Sequence, residues 1–327
     1  MPSEPPHVFL TRPLDEGVVS TFRDQLPGEL RIHPDADVPP TRAELLEAVR
    51  GAAGLVTLVT DRVDAEVLDA AGEQLKVVAN MAVGYDNIDV AAAAERGVIV
   101  TNTPGVLDES VADLTLALLL ATVRRVAEGD RFIRAGREWI WGPQSFVGLD
   151  VSAGATLGIV GLGRIGMATA RRAAAFGMDI IATGSRASSQ EAASLGIKPA
   201  SLAEVVENSD VVSLHAPLTA DTKHMIGRDE LAAMKPGSHL LNTARGPLVD
   251  EEALADALES GHLGGAGLDV HEHEPQVNER LRGLQNVVLL PHIGSAGDAT
   301  RRKMASLAFQ NLVAVLSGKD PLTPVSP

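Results

Sequence analysis

Cysteine is absent from this 327-residue chain, and aromatic residues are scarce, with two tryptophans, one tyrosine and six phenylalanines. The lack of cysteine excludes disulfides, thiolate catalysis and cysteine-ligated zinc. With so few aromatic side chains, the hydrophobic cores must be built from Val, Leu, Ile and Ala. Lysine and arginine are outnumbered by acidic residues, and the formal net charge of −15 argues against a protein that binds nucleic acid or an anionic membrane surface.

Long apolar runs are absent as well. The longest one, around Leu114–Val123, is too short to span a bilayer. The first six residues contain no basic segment followed by an apolar one, so we expect no signal peptide and a cytoplasmic location. A chain of this length is long for one domain and suits two.

Short apolar segments alternate with helix-like stretches along the sequence, which is the pattern of an α/β protein. Amphipathic helices are predicted at Arg42–Val49 and Ala65–Ala71. Around them, four segments rich in Val and Leu are predicted to form a small sheet of buried parallel strands: His7–Leu10, Gly54–Thr60, Lys76–Met81 and Val98–Asn102.

The segment Ala155–Gly166 is a short apolar strand that runs into Gly-x-Gly-x-x-Gly, and an alanine-rich helix is predicted to follow at Met167–Phe176. The three glycines allow a tight turn, a close approach of backbone N–H groups to a pyrophosphate, and close packing of the helix on the strand. The helix N-terminus adds partial positive charge, so the segment predicts dinucleotide binding. The residues expected at the cofactor here are Gly161, Leu162, Gly163, Arg164, Ile165 and Gly166.

Six strands, the number in a full dinucleotide-binding sheet, are predicted in this part of the chain. They are Thr156–Val160, Asp179–Thr183, Val211–His215, His239–Asn242, Gly267–Val270 and Val287–Leu290. Long helices are predicted at Glu109–Arg125 and Thr300–Leu316. Because the glycine fingerprint begins only after residue 150, we expect the dinucleotide-binding domain, residues 104–292, to be inserted into a substrate domain formed by residues 1–103 and 293–327.

The second strand of the predicted dinucleotide domain lacks the acidic residue that normally binds the adenosine ribose at its end. Gly184 stands at that position and is followed by Ser185 and Arg186. A carboxylate would repel a 2′-phosphate, whereas hydroxyl donors and a guanidinium fork suit one. We therefore predict NADP(H) as the preferred cofactor, with NAD(H) possible. The alternative is that Arg186 is an ordinary exposed loop residue.

Polar residues follow several predicted strands, at the edge where an open parallel sheet presents its ligand crevice. The segments concerned are Val83–Asp89, Leu214–Thr219, Asn242–Gly246, Gly267–Pro275 and Pro291–Ala296. In this order the five motifs resemble those of the D-isomer-specific 2-hydroxyacid dehydrogenases, over essentially the whole chain. Within that family, the Thr183–Arg186 strand end and the Trp139–Pro143 loop are most similar to glyoxylate/hydroxypyruvate reductases.

The resemblance implies an α/β fold of two doubly wound parallel-sheet domains, in which a Rossmann dinucleotide-binding domain is inserted into a smaller flavodoxin-like substrate domain. It also implies an enzyme that transfers a hydride from NADPH or NADH to a small 2-oxo acid. Glyoxylate and hydroxypyruvate are the expected substrates, giving glycolate and D-glycerate. The expected partners are this small acid and a second copy of the chain, in a homodimer formed through the Glu109–Arg125 helix region.

The family's catalytic set falls on Arg245, Glu274 and His292. Arg245 is expected to bind the substrate carboxylate and to polarise the carbonyl, a task that suits a planar fork. His292 is expected to protonate the carbonyl oxygen, while Glu274 favours the imidazolium form and orients the ring. Reduction should therefore weaken as the pH rises and the imidazolium loses its proton. Glu272, two positions earlier, is the alternative to Glu274.

Further positions follow from the same resemblance. Val83 and Gly84 are expected to bind the substrate carboxylate with backbone N–H groups. Ser295 is expected to touch the substrate, and Leu107 to wall the pocket. Trp141 is expected to reach a neighbouring subunit's active site or, alternatively, to pack in a dimer interface. The other residues expected at the cofactor are His215, Ala216, Pro217, Thr243, Ala244, Asp269 and Gly294, together with Arg245 and His292.

Other interpretations remain open. His271 and His273, with His262 as a possible third ligand, could form a metal site, but hydride transfer needs no metal and we expect none. The enzyme alternatives are other D-2-hydroxyacid dehydrogenases, of the D-lactate or 3-phosphoglycerate type. The alternative outside enzymes is a dinucleotide-sensing corepressor of the same fold.

Overall fold

The computed structural model describes residues 6–326, which divide into two compact units. Unit 1 comprises the chain up to Leu107 and from Ala296 onward, and unit 2 comprises the residues from Asp108 to Ser295. Both junctions lie slightly further along the chain than the predicted domain boundaries. The first five residues, on which the expectation about a signal peptide partly rests, and Pro327 lie outside the described part.

The first part of unit 1 alternates strands with helices. Each of these helices begins at a residue whose side chain accepts a backbone N–H of the first turn, namely Asp15, Thr41, Asp64 and Asp89. The elements are β1 (His7–Leu10), α1 (Glu16–Arg23), β2 (Glu29–Ile32), α2 (Arg42–Ala48), β3 (Ala52–Thr57), α3 (Ala65–Ala71), β4 (Val77–Asn80), α4 (Val90–Glu95) and β5 (Ile99–Thr101).

Strand β2 and helices α1 and α4 were not predicted from the sequence. β2 lies at the edge of the sheet, where its four side chains are exposed or half-buried, so it lacks an apolar run. The two helices are short and each buries only two residues. Helix α2, which was predicted, is as short and buries only Leu45, so a small buried face does not by itself hide a helix.

Unit 2 is built on a parallel sheet with flanking helices. Its elements are α5 (Asp108–Val123), α6 (Val126–Arg134), β6 (Thr156–Val160), α7 (Arg164–Ala175), β7 (Asp179–Thr183), α8 (Gln190–Ser194), β8 (Lys198–Pro199), α9 (Leu202–Asn208), β9 (Val211–Leu214), α10 (Arg228–Ala233), β10 (His239–Asn242), α11 (Glu251–Glu259), β11 (Gly265–Leu268), α12 (Glu279–Gly283) and β12 (Val287–Leu289).

The strand order in unit 2 is β12-β11-β10-β9-β6-β7-β8, with seven strands among the described residues. The prediction of six strands was therefore wrong. The missed strand is β8, which has only two residues, both exposed, at the sheet edge and so carries no apolar pattern. The order reverses between β6 and β9, where such a sheet leaves a crevice beyond its carboxyl ends.

Helix α5 lies in the core of unit 2. It packs against α7, β10 and β11, and eight of its sixteen residues are buried. Leu118, Leu119 and Val123 are at most 1% exposed. Much of the apolar surface of the helix is therefore covered within one chain, and a dimer formed through this helix region stays a prediction.

The chain then completes unit 1. Helix α13 (Asp298–Leu316) packs on β3 and β4, and β13 (Pro324–Val325) pairs antiparallel with β5. The sheet order is β13-β5-β4-β3-β1-β2, so its parallel strands have the flavodoxin-like order. No helix among residues 6–326 is long and apolar enough to cross a membrane.

Candidate active site

The predicted cofactor and catalytic segments lie at one edge of the unit 2 sheet. Each follows the carboxyl end of one of six neighbouring parallel strands, β12, β11, β10, β9, β6 and β7. The six segments, in chain order, are Gly161–Gly166, Gly184–Arg186, His215–Pro217, Thr243–Arg245, Asp269–Glu274 and His292–Gly294.

The glycine fingerprint forms the turn between β6 and α7. Gly161 has a φ of +97°, and a Cβ atom there would lie 2.6 Å from the backbone nitrogen of Ala216. Around the Cα of Gly163, which caps α7, a Cβ would meet no atom within 4 Å. A Cβ on Gly166 would lie 2.7 Å from the Gly161 carbonyl oxygen, so α7 packs directly on the turn. This open space before a twelve-residue helix fits a pyrophosphate.

The side chains between these glycines differ in exposure. Leu162 is buried in the core of unit 2, Ile165 is half-buried, and Arg164 is exposed in the first turn of α7. Only Arg164 therefore offers a charged group to solvent or to a ligand at this turn.

The end of β7 explains why no carboxylate stands at its usual position. Gly184 has a φ of +133°, and a Cβ atom there would lie 2.5 Å from the nitrogen of Leu162 in the fingerprint turn. Ser185 beside it is exposed. Arg186 donates from Nη2 to Oε2 of Glu191 over 2.9 Å, and Arg171 donates to the other oxygen over 3.2 Å. A phosphate at Arg186 would therefore compete with an acidic neighbour.

His215 follows β9 beside the fingerprint turn. Its Nε2 atom lies 2.9 Å from Oγ of Ser213, and its buried Nδ1 atom has no hydrogen-bond partner among the described residues. Burial lowers the pKa of His215 to about 4, so the ring is neutral at pH 7. The next residue, Ala216, is buried against Gly161, and Pro217 is exposed.

The loop that carries Arg245 is held by Asn242, the last residue of β10. Asn242 donates from Nδ2 to the Arg245 carbonyl over 2.8 Å and accepts the Ala244 N–H over 3.0 Å. Arg245 itself donates from Nη1 to the Ala244 carbonyl over 2.8 Å. The hydroxyl of Thr243 lies 3.0 Å from that of Thr115. Asn242 was not predicted, although a polar residue that ends a buried strand is a usable signal.

His292 and Glu274 meet across two loops. The Nδ1 atom of His292 lies 2.9 Å from Oε2 of Glu274, and Oε1 of Glu274 accepts the His271 N–H over 3.0 Å. Burial alone would raise the pKa of Glu274, but the hydrogen bond and charge of His292, with the His271 N–H, hold it below its usual value. Both side chains are about 30% exposed, so a ligand can reach them.

Asp269 shapes the loop that presents His292. Its carboxylate accepts the N–H groups of Ile293 and Gly294 over 2.7 and 2.8 Å, and its carbonyl accepts the His292 N–H over 2.8 Å. These contacts hold His292 at a φ of +55°, in the left-handed region that non-glycine residues rarely adopt. Burial raises the pKa of Asp269, while the two N–H groups and His292 act in the opposite direction.

Glu272, the alternative to Glu274, has another partner. Its Oε1 atom lies 2.6 Å from Nε2 of His224, so it is Glu274 that neighbours His292. The His271 ring lies 3.0 Å from the Leu290 carbonyl through Nε2. Within residues 6–326, no group of three or more His, Cys, Asp or Glu side chains is placed to hold a metal ion.

In unit 1, Val83 and Gly84 lie on the loop after β4. Asn80 donates to the Gly84 carbonyl over 2.9 Å, and Asn102 donates to the Val83 carbonyl over 2.8 Å. These asparagines were not predicted, although both stand at or just after the end of a strand. Leu107, the last residue before the junction, is buried.

The remaining two predicted residues belong to unit 2. Ser295 is its last residue. Trp141 lies after α6 and is 76% exposed.

Comparison with known proteins identifies the family. Residues 116–294 match the family model of the NAD-binding domain of D-isomer-specific 2-hydroxyacid dehydrogenases. A glyoxylate reductase from Thermococcus litoralis is 48% identical over 321 residues, which cover 97% of this chain and 95% of that protein.

Comparison with solved structures supports the same family. A glyoxylate reductase from Paecilomyes thermophila matches with a TM-score of 0.87 at 35% identity, over 99% of each chain. An NADPH-dependent glyoxylate/hydroxypyruvate reductase from Sinorhizobium meliloti, in complex with NADP and malonate, matches with a TM-score of 0.82 at 36% identity, over 98% of this chain and 97% of that one. The predicted family and fold class are confirmed: this chain belongs to the D-isomer-specific 2-hydroxyacid dehydrogenases and is an NAD(P)-dependent oxidoreductase.

Proposed function

We propose that this enzyme reduces glyoxylate and hydroxypyruvate to glycolate and D-glycerate. The observation that carries the proposal is the 2.9 Å contact between His292 and Glu274. It lies at the same edge of the sheet as the glycine fingerprint Gly161–Gly166. Relatives named glyoxylate reductases, 44–48% identical over nearly the whole chain, support this choice of substrate.

The proposed chemistry assigns one task to each residue. A reduced nicotinamide, when bound, would supply the hydride for the carbonyl carbon of the 2-oxo acid and would be left oxidised. His292 gives its Nε2 proton to the carbonyl oxygen, so the products are a 2-hydroxy acid and a neutral imidazole. Glu274 engages Nδ1 and thereby favours the imidazolium and leaves Nε2 for the substrate. Arg245 binds the substrate carboxylate and polarises the carbonyl with its planar fork.

Further contacts to the substrate are proposed from the family resemblance. The backbone N–H groups of Val83 and Gly84 would bind the substrate carboxylate, on a loop whose carbonyls are held by Asn80 and Asn102. Leu107 is proposed to line the substrate pocket, and Ser295 is proposed to touch the substrate. Unit 2 is proposed to bind the dinucleotide through the six segments at its sheet edge.

We also propose a preference for NADPH over NADH. The Cβ clash at Gly184 keeps a carboxylate away from the ribose position, and Ser185 and Arg186 are at the surface beside it. The Glu191 contact of Arg186 works against this preference, so we expect it to be moderate.

A homodimer is proposed, with a surface that begins directly after the predicted helix region Glu109–Arg125. Six of the ten large hydrophobic residues that are exposed in the described chain lie in one stretch of unit 2, from Val126 to Val147. Trp139, Ile140 and Trp141 are 62%, 93% and 76% exposed. Apolar clustering of this kind is typical of a protein–protein interface. Trp141 would therefore contact the second copy.

A substrate panel tests the proposed function. Oxidation of NADPH and of NADH is followed at 340 nm with glyoxylate, hydroxypyruvate, pyruvate and 3-phosphohydroxypyruvate. We expect the highest kcat/KM with the first two acids. A clear preference for pyruvate or for the phosphorylated acid would point to the alternative dehydrogenases. Tight dinucleotide binding without turnover of any 2-oxo acid would favour the corepressor.

A further inference from the structure

Glu251, the first residue of α11, is a buried carboxylate that the proposed chemistry does not use. It is 5% exposed. Its Oε1 atom accepts the Glu272 N–H over 3.0 Å, and Oε2 of Glu272 accepts the Glu251 N–H over 3.3 Å. Two reciprocal side-chain-to-backbone hydrogen bonds therefore join the start of α11 to the segment between β11 and Pro275.

The two hydrogen bonds between Glu251 and Glu272 lie next to the His271 N–H, which orients Glu274. The N–H of His271, one residue before Glu272, donates to Oε1 of Glu274, whose other oxygen meets His292. On the opposite side, the backbone of Gly246 touches the His271 carbonyl group: a Cβ on Gly246 would lie 1.9 Å from its carbon. The peptide between His271 and Glu272 is thus fixed on both sides, and its position sets that of Glu274.

The charges around Glu251 come from the same loop. The Nδ1 atom of His271 lies 3.9 Å from Oε1 of Glu251, and Glu272 is paired with His224. Burial raises the pKa of Glu251, and the Glu272 carboxylate adds to this effect. The Glu272 N–H, His271 and His273 act in the opposite direction. A carboxyl group in such surroundings costs stability unless it is hydrogen-bonded, which favours a role for its contacts.

We propose that Glu251 is a positioning residue, which holds the segment His271–Glu274 through the Glu272 N–H so that Glu274 meets Nδ1 of His292. The proposal rests on the proposed function only in that it takes His292 as the proton donor. Glu251 acts through the loop and touches neither substrate nor cofactor in this assignment.

Two variants distinguish the effect of the length of the Glu251 side chain from the effect of its charge. Glu251→Asp keeps the carboxylate but withdraws it by one methylene, so it cannot reach the Glu272 N–H. Glu251→Gln keeps the full length and an acceptor oxygen but has no charge. The matched controls are Glu252→Asp and Glu252→Gln, because Glu252 is the next residue of α11, is exposed and pairs with Arg280.

For Glu251→Asp we expect a loss in kcat of up to about 100-fold, the cost of misplacing a catalytic group by about 1 Å. The basic limb of its pH–kcat profile should move to lower pH, because Glu274 no longer favours the imidazolium. The KM for NADPH should stay the same, and Glu251→Gln should retain most of the wild-type kcat and profile. Far-UV circular dichroism and thermal melting verify that each variant is folded.

An unchanged pH profile in folded Glu251→Asp, or an equal loss in Glu251→Gln, would overturn the proposal. So would equal effects in the Glu252 variants. The NMR titration of the His292 ring, recorded without substrate, gives a readout besides activity. If the wild-type enzyme reduced no 2-oxo acid, the proposed function would fail, yet a shift of the ring titration in Glu251→Asp and not in Glu251→Gln would still support the positioning role. Absence of that shift would reject it.

Discussion

The His292 imidazole and the Glu274 carboxylate are joined by a contact of 2.9 Å, although they stand on loops that follow two different strands. Each of the two residues is also held by hydrogen bonds that involve backbone N–H groups. Asp269 fixes the His292 loop, and the His271 N–H fixes the second oxygen of Glu274. Contacts within the protein therefore hold the pair in the geometry that general acid catalysis requires.

Glu274→Gln removes the negative charge that stabilises the imidazolium. We expect kcat for reduction to fall, and its basic limb to move to lower pH, because the attraction to His292 that lowers the pKa of Glu274 is lost. His292→Gln should lower kcat by about 100-fold or more at every pH. The measurement is kcat for glyoxylate over about pH 5–9. Glu279→Gln, at an exposed position, is the control, and an unmoved limb in Glu274→Gln would reject this role for Glu274.

Arg186→Ala tests the cofactor preference. The loss of a charged hydrogen bond to a 2′-phosphate should raise the KM for NADPH by about tenfold and leave that for NADH nearly unchanged. Glu191→Gln should lower the KM for NADPH, because it frees Arg186 from its acidic partner. Initial rates with both cofactors measure this, with Arg282→Ala as a surface control. Equal changes in the KM values for NADPH and NADH would show that Arg186 does not bind the 2′-phosphate.

Gly184→Asp restores the carboxylate expected in an NAD-binding site, but we expect it to damage the fold. The Cβ atom would lie 2.5 Å from the Leu162 nitrogen, at a backbone φ of +133°. The cost should be about 2 kcal/mol or more, seen as a lower Tm, with no gain in NADH use. Ser185→Asp, one residue on and exposed, should weaken NADPH binding at an unchanged Tm. A stable, NADH-preferring Gly184→Asp enzyme would contradict this account.

Ile140→Glu combined with Trp139→Glu should convert a homodimer to monomers, because two charges would be buried in the proposed interface. Sedimentation velocity measures the mass, and Val38→Glu, an exposed apolar position in unit 1, is the control. A monomeric wild-type protein, or a double variant that remains dimeric, would show that this stretch is not the interface.

His215 should make the free energy of unfolding fall in mild acid. Its pKa is about 4 in the folded protein against an ordinary value of 6.5, so the unfolded chain takes up a proton first as the pH falls. The stability contribution is complete above pH 6.5 and is lost towards pH 4, by up to about 3 kcal/mol. Urea unfolding of cofactor-free protein at several pH values measures it. His215→Gln should flatten this dependence, whereas His33→Gln should not; parallel curves for His215→Gln and wild type would refute it.

The sequence by itself determined the elements with strong local patterns. β6 and β7 were predicted to the residue, because apolar runs bounded by turn residues are a local property. The strand ends that carry Arg245, Glu274 and His292 were located for the same reason. The edge strands β2 and β8 were missed, because exposed strands do not need apolar residues.

Only the tertiary structure decided which of these groups meet. In the sequence, only the family's pattern of a glutamate directly before a proline favours Glu274 over Glu272. The fold turns Glu272 towards His224 and Glu274 towards His292. Glu251 has the sequence context of an ordinary acidic residue in the first turn of a helix. Its burial against the Glu272 backbone depends on how the start of α11 meets the loop after β11. A residue's type and spacing fix its chemistry, whereas its partners come from contacts between segments distant in the chain, which no local pattern encodes.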